Sequence, residues 1–486
     1  MSPARSDRQF DRLELAATAY LLLPLLPFLA CWWRWPVALV AGALLLVLAH
    51  AVARRSRADR PELRLRLWAL LIAVATLWVA SSGLLGGLPL NEDWSVRMRV
   101  LRDLTVGAWP VGYGPAAGGE TMLRFSMGYY LVPAGLGAWL GGVGAARLLL
   151  GLWTVLGVVL AFAMIMPARS MRRLSVVVGC LALFIAFSGM DLIGFLLGRA
   201  ATPALGEHIE WWTPWLQYSS QTTLLFWVPN HALPAWLGAA LVWRHREAGL
   251  AVAPAALLLV AAAFWSPLAC VGLLPLLALA TLRGCTVPMW LRELARPEVL
   301  LTAVPLLALL ALFVSFGIVV DEVPADRQVQ ASVVSPTASW HAWLVFELLE
   351  WGLLAGVMLS AGWRRVGWPF WAACTMLLLL PLMRFGPGND LVMRAGIAPV
   401  TLLLLCTADA LLRGRLAPGW RRFTIALLIV GCATPAQELI RQVQPGSRWP
   451  DDGRSLAQAL GRPWHYVGVL PPGRLAEALR RPVVLP

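Results

Sequence analysis

Hydrophobic positions in this chain fall into long runs separated by short arginine-rich segments. Runs at 15–31 and 37–53 form a hairpin whose return leads into ARRSRADRPELRLR (53–66), the strongest basic cluster in the chain. Helices of that length cross a hydrocarbon core of about 30 Å, and basic loops are retained on the cytoplasmic side. The run at 67–86 therefore exits to the opposite face, and the polar stretch LNEDWSVRMRVLRDLTVGAWP that follows lies outside. Next comes a short, glycine-rich stretch at 127–142 containing Pro133, then a full-length run at 147–166 followed by PARSMRR. If both crossed, that basic segment would lie outside, so 127–142 reads as a surface or re-entrant helix.

Alternation then continues through 174–197, 223–243 (ending at Arg244-His245-Arg246), 250–265, 267–282, 299–319, 342–361, 368–384, 396–412 and 423–440. The expected fold is an all-α integral membrane protein of about thirteen transmembrane helices with a large extracytoplasmic loop at 87–146. Three regions follow: an N-terminal segment, hairpin and basic loop at 1–66, a transmembrane core at 67–440, and a tail at 441–486. The tail is too short and rich in proline and arginine to build a core alone, and counting spans places it outside.

Composition narrows the class. The chain is 59% hydrophobic and only 14% charged, with a mean hydropathy of +0.70. Its net charge of +14 comes from arginines concentrated between apolar runs, where topology explains them without nucleic acid. Cys31, Cys180, Cys270, Cys285, Cys374, Cys406 and Cys432 show no CxxC or Cys/His metal spacing and read as packing thiols. The N-terminal MSPARSDRQFDRLELAA lacks a small-residue cleavage pattern, so a removed signal peptide is not expected.

Against this background four polar segments share the outer side. The first holds Glu92 and Asp93, the densest charge cluster outside the cytoplasmic loops. The second, GEHIEWWTPWLQYSSQTTLLFWVPNHALPAW (206–236), carries His208, Glu210, Trp211, Gln217, Tyr218, Gln221, Asn230 and His231. The third is FWSP at 264–267, and the fourth, MRFGPGNDLVMRAGIAP (383–399), carries Arg384, Asn389, Asp390 and Arg394. Each has a plainer explanation. Tryptophans anchor at interfaces, Arg384 or Arg394 can simply neutralise Asp390, and the histidines can be structural. Asp103 reads as a partner for Arg99 or another nearby arginine. Ionisable groups converging on one face of a membrane protein nonetheless mark a candidate site. A carboxylate there can take a proton from a hydroxyl, and arginines recognise phosphate.

These residues resemble the GT-C-fold glycosyltransferases, multispan enzymes that use polyprenyl-phosphate-linked sugars. The likeness rests on the acidic motif Glu92-Asp93 in the first large outer loop, a following Tyr-Tyr-Leu-x-Pro helix at Tyr129 to Pro133, and spans alternating with short loops. EHIEWW, QYSSQTTLLFWVPNHALPAW and GPGNDLVMRAGIAP look like segments of uncharacterised bacterial members, over about 67–440. Two spans precede the acidic loop instead of the family's usual one, so 15–53 stands as an added hairpin.

The resemblance implies an inverting hexosyl- or pentosyltransferase in the bacterial inner membrane, with its site on the periplasmic side. It implies Asp93 as general base with Glu92 as the competing candidate, and Arg394, Arg384 or His231 at the donor phosphate. His208, Glu210, Trp211, Gln217, Tyr218, Gln221, Asn230, Asn389, Asp390 and Tyr129 would line the substrate cavity. Partners would be a polyprenyl-phosphate sugar, a glycan, lipid or protein acceptor, and membrane lipids. Some members use a divalent cation, Mg or Mn, at the carboxylate and others none. The alternatives are a transporter or flippase of a lipid-linked anionic glycan, a polymerase or ligase with a diphosphate-linked donor, and a non-catalytic envelope-assembly subunit.

Overall fold

The computed structural model describes residues 8–56, 64–116, 119–124, 127–166, 173–199, 201–315, 332–333, 340–362, 366–386, 388–444, 453–460, 466–470 and 473–485. The chain is a helical, multi-pass membrane protein. Eight of its described helices are long and apolar enough to cross a bilayer, among them Trp35–Arg55, Val143–Ile165, Asp390–Leu412 and Pro418–Val443. Shorter apolar helices include Leu65–Ser81, Val252–Trp265, Pro267–Leu282 and Trp368–Leu382. Large apolar side chains such as Leu39, Leu46, Leu77, Trp139 and Ile429 are exposed, as hydrocarbon-facing groups are.

Lipid tails are as apolar as leucine, so helices gain by close approach of small residues. Gly272 is such a contact: a Cβ there would fall 2.1 Å from the Ala395 carbonyl oxygen, so the Pro267–Leu282 helix rests directly on the start of Asp390–Leu412. Aromatic rings fill the wider gaps. Trp78 stacks between Phe162 and Trp236, and Tyr20 meets Trp153 and Trp265.

One end of the helix assembly is tied by ion pairs. Arg8 meets Glu293 at 3.2 Å, while Arg244 pairs with Asp11 and with Glu14 at 2.7 Å. Asp11 and Glu14 also form a reciprocal capping box at the start of Arg12–Leu22.

The other end carries strands that the all-helical expectation did not include. The segment after the acidic loop forms β1 (Val111–Ala116) and β2 (Gly119–Leu123). A short pair, β3 (Ser332–Val333) with β4 (Met383–Arg384), lies elsewhere. The C-terminal tail supplies β5 (Val467–Val469) and β6 (Val483–Val484). These join the first pair in a sheet of order β5-β2-β1-β6. Here β5 runs antiparallel to β2, and β6 runs parallel to β1. The tail is thus covered by pairing with the acidic loop, which puts both on one side. Asp103 fastens the joint: its buried carboxylate accepts from the Tyr113 hydroxyl at 3.0 Å and the Leu456 amide at 2.8 Å, beside Arg102 at 3.6 Å. Burial raises its pKa above the ordinary carboxylate value.

Three helix irregularities meet behind the loop. Residues 187–190 separate Leu174–Ala186 from Asp191–Arg199, Leu348–Gly352 forms a π-helical turn, and Cys432 separates Pro418–Gly431 from Ala433–Val443. The Met190 amide donates to the Leu349 carbonyl at 3.1 Å, and Gly431 lies against the Ser188 carbonyl. Such breaks free backbone groups that neighbouring elements must satisfy.

Candidate functional site

The acidic motif is held by its outer residues. The Asn91 amide and the Trp94 indole both donate to the Phe226 carbonyl, at 2.9 and 2.7 Å. That carbonyl is open because the helix ladder breaks at Val228 (φ −136°), between Gln221–Trp227 and Pro229–Arg244. With Asn91 and Trp94 buried, Glu92 and Asp93 project outward, 66% and 44% exposed.

They project into a cavity of about 740 Å³. Its wall combines Glu92, Asp93, Arg97, Arg199, His208, Gln217, Asp390 and Arg394 with the tryptophans 211, 212, 215 and 227. Of the residues expected from sequence, Glu92, Asp93, His208, Trp211, Gln217, Asp390 and Arg394 therefore share one space, from three separate chain segments.

The rings are oriented by their N–H groups. Trp211 donates to Gln217 at 3.0 Å, Trp212 to Glu350 at 3.0 Å and Trp227 to Glu438 at 2.7 Å. Trp215 has a left-handed backbone (φ +68°), and the Arg384 guanidinium lies 3.6 Å over its ring. Indole faces fixed in this way suit the C–H faces of a sugar, and the carboxylates and amide suit its hydroxyls.

The cations differ in what already occupies them. Arg394 pairs with Asp390 at 2.8 Å, the neutralising contact that sequence alone allowed. Arg97, absent from the sequence-based candidates, is 7% exposed and reaches Asp93 at 3.2 Å and the Asn230 carbonyl oxygen at 2.8 Å. Because that oxygen faces a pure donor, the Asn230 amide nitrogen is the atom facing His231 Nε2 at 3.2 Å. Nε2 must then accept, so the proton lies on Nδ1, which donates to Ser266 Oγ at 2.7 Å. His231 and Asn230 are thus buried behind Arg97 and away from the cavity, and the neutral imidazole has no charge to offer a phosphate.

Other expected residues also lie off the cavity wall. Tyr129 is buried against Thr154, and the Tyr218 hydroxyl donates to the Leu377 carbonyl at 2.7 Å. Gln221 is fully buried, and Asn389 reaches the Trp215 carbonyl. Arg384 acts through Trp215 rather than from the wall itself. Glu210 sits one layer back, accepting from Gln217 at 2.6 Å, the Ser220 amide at 2.8 Å and Thr223 at 2.6 Å. Burial raises its pKa more than these bonds lower it.

Glu438, also missed by sequence reading, joins His208 to Trp227: its oxygens lie 2.6 Å from His208 Nδ1 and 2.7 Å from the indole. Burial pulls the His208 pKa down, but the Glu438 hydrogen bond and the charges of Glu210 and Glu438 outweigh it, leaving the value above 6.5. Deeper still, Asp191 accepts from Ser188 and Thr434, each at 2.7 Å, beside Glu350. Arg97 stands in the charge cluster that the acidic loop shows in sequence, but nothing local singles it or Glu438 out, because their roles come from contacts 133 and 230 residues away along the chain.

The divalent cation allowed by the resemblance does not fit these side chains. Asp93 faces Arg97 and Glu92 faces Arg441 at 3.4 Å. Among the described residues no three His, Cys, Asp or Glu side chains are grouped to hold a metal ion. Comparison with family models, curated proteins and solved structures finds no match to this chain.

Proposed function

We propose that this protein is an inverting membrane glycosyltransferase of the GT-C type. It transfers a sugar from a polyprenyl-phosphate donor to an acceptor hydroxyl on a cell-envelope glycan, lipid or protein. Thirteen spans in the bacterial inner membrane would present the cavity to the periplasmic side. The observation that carries this reading is the single cavity joining Asp93, Arg97 and Arg394 to a wall of four tryptophans.

In the transfer, Asp93 takes the acceptor hydroxyl proton as the oxygen attacks the anomeric carbon, and Glu92 is the neighbouring alternative. The bond from that carbon to the phosphate oxygen breaks, and polyprenyl phosphate departs with the electron pair. Arg394 stabilises the charge gathering on the phosphate. Arg97 holds the Asp93 carboxylate in orientation. The test is transfer from a polyprenyl-phosphate sugar by purified, reconstituted protein. Asp93→Asn is expected to lose at least about a hundredfold in rate, the lower range for a general base; transfer at the wild-type rate overturns the assignment.

Transport of a lipid-linked anion is the second reading, favoured by buried Asp191 and Glu350 beside broken helices. Flux in proteoliposomes without a glycan product, unchanged in Asp93→Asn, would select it.

A further inference from the structure

A second recess of about 280 Å³ lies at the other ends of helices that line the large cavity. Val228 and Trp227 at the start of Pro229–Arg244 face the cavity, while Trp243 and Arg246 at its end face the recess. Likewise Asp390 lines the cavity and Asp409 the recess, along one 23-residue helical stretch. At 1.5 Å per residue the separation is about 28 Å, close to the hydrocarbon thickness of a bilayer. The recess therefore lies at the opposite membrane boundary.

Its chemistry is unbalanced. Asp409 is shared by Arg413 at 2.8 Å, Arg415 at 3.4 Å and Arg246 at 4.0 Å. Glu247 approaches Arg246 at 3.7 Å but is 81% exposed. Arg283, on the recess wall, meets no carboxylate among the described residues. Among the described residues three arginines, Arg246, Arg283 and Arg415, line the recess against two carboxylates, Asp409 and Glu247, an excess of positive charge. Two indoles frame it: the Arg246 guanidinium lies 4.0 Å over Trp243, and Trp368 donates to the Arg246 carbonyl at 2.8 Å.

We infer that this recess binds the phosphodiester headgroup of an anionic phospholipid in the leaflet opposite the large cavity. The volume is slightly below the roughly 300–1,000 Å³ of drug-sized pockets, which suits one small polar headgroup and not a lipid-linked oligosaccharide. Arginines at this depth recognise phosphate, and basic pockets between spans attract anionic headgroups. A lipid is favoured over a soluble anion by the rim. Leu359, Trp371 and Leu412 are exposed one helical turn or less from recess residues and offer the acyl chains an apolar path. The inference stands independently of the chemistry in the large cavity.

Phosphatidylglycerol, phosphatidylcholine and inorganic phosphate are each titrated into delipidated full-length protein in neutral detergent, read by thermal midpoint and by native mass spectrometry. Phosphatidylglycerol should raise the midpoint and be retained at low stoichiometry, with little effect from phosphatidylcholine or inorganic phosphate. Arg283→Gln, at an exposed side chain that makes no polar contact among the described residues, should keep the lipid-free midpoint and weaken phosphatidylglycerol binding about tenfold, the loss expected for one charge-assisted contact. Equal stabilisation by phosphatidylcholine, or binding unchanged by both Arg283→Gln and the double variant Arg283→Gln/Arg415→Gln, overturns the site. Inorganic phosphate binding as tightly as the lipid overturns the assignment to a headgroup.

Discussion

The Asn389 side-chain amide donates to the Trp215 carbonyl at 2.9 Å, and both residues hold left-handed backbones, φ +56° and +68°. Among the described residues they are the only non-glycines with positive φ. A left-handed conformation costs an ordinary side chain such as Trp215 about 1–2 kcal/mol, and asparagine less, so the strain of this bonded pair sits mainly at Trp215. It persists because tertiary contacts fix it: Asn389 also accepts from the Phe385 amide at 3.2 Å, and Arg384 covers the Trp215 ring. The joint holds an indole on the cavity wall at a place where an unstrained loop would leave it free.

The first prediction separates strain from hydrogen bonding at Asn389. Asn389→Gly removes the amide but relieves the backbone, whereas Asn389→Ala removes the amide and keeps the strain. Alanine should therefore be less stable than glycine by about 1 kcal/mol. Under the proposed function, both variants should bind polyprenyl-phosphate sugar more weakly than wild type. Thermal midpoints and donor-binding isotherms on purified protein check both points, and equal stability of the two variants removes the strain argument.

A methyl group at Gly272, outside the cavity wall, should still disturb Arg394. Gly272→Ala puts a Cβ 2.1 Å from the Ala395 carbonyl oxygen, so the helices must separate at the residue next to Arg394. Overpacking of this kind costs about 1–3 kcal/mol. Transfer activity should fall with little change in helix content by circular dichroism. Full activity would show that Arg394 is not placed by this contact.

Stability should depend on pH through His208. Its pKa is raised above 6.5 when folded, so the folded state holds the proton more tightly than the unfolded chain. That contribution is complete below the unfolded value and is lost as pH rises through the folded one. Glu210, also raised, acts in the same direction. The thermal midpoint should therefore fall as pH increases above 6.5, and His208→Gln should flatten the slope. A slope unchanged in His208→Gln would assign the effect elsewhere.

The tail should protect the outer loop. Removing residues 453–486 takes away β5 and β6 and leaves β1 and β2 with open edges. It also leaves the buried Asp103 carboxylate without its Leu456 partner. Limited proteolysis should then cut within residues 107–130 much faster than in the full chain, while the apolar helices stay intact. Equal cleavage rates would mean that the sheet contributes nothing to holding the loop.

Much of the plan is legible in the sequence because it depends on local free energies. The length of an apolar run decides whether a helix can reach across hydrocarbon, and ARRSRADRPELRLR or Arg244-His245-Arg246 records which loops stay with the basic side. Residues such as Asp93, His208, Gln217 and Arg394 are conspicuous because polar groups are costly among apolar spans. What those local terms do not contain is which helix touches which. Gly272 against Ala395, Arg97 between Asp93 and Asn230, Glu438 under His208, and the tail strands beside β1 and β2 join residues far apart in the chain. The tertiary structure decided that Arg97 rather than His231 faces the acidic motif, and that Asn389 serves Trp215 from outside the wall. Close packing sets both outcomes, since a carbonyl or guanidinium acquires its role only when another helix arrives within about 3 Å of it.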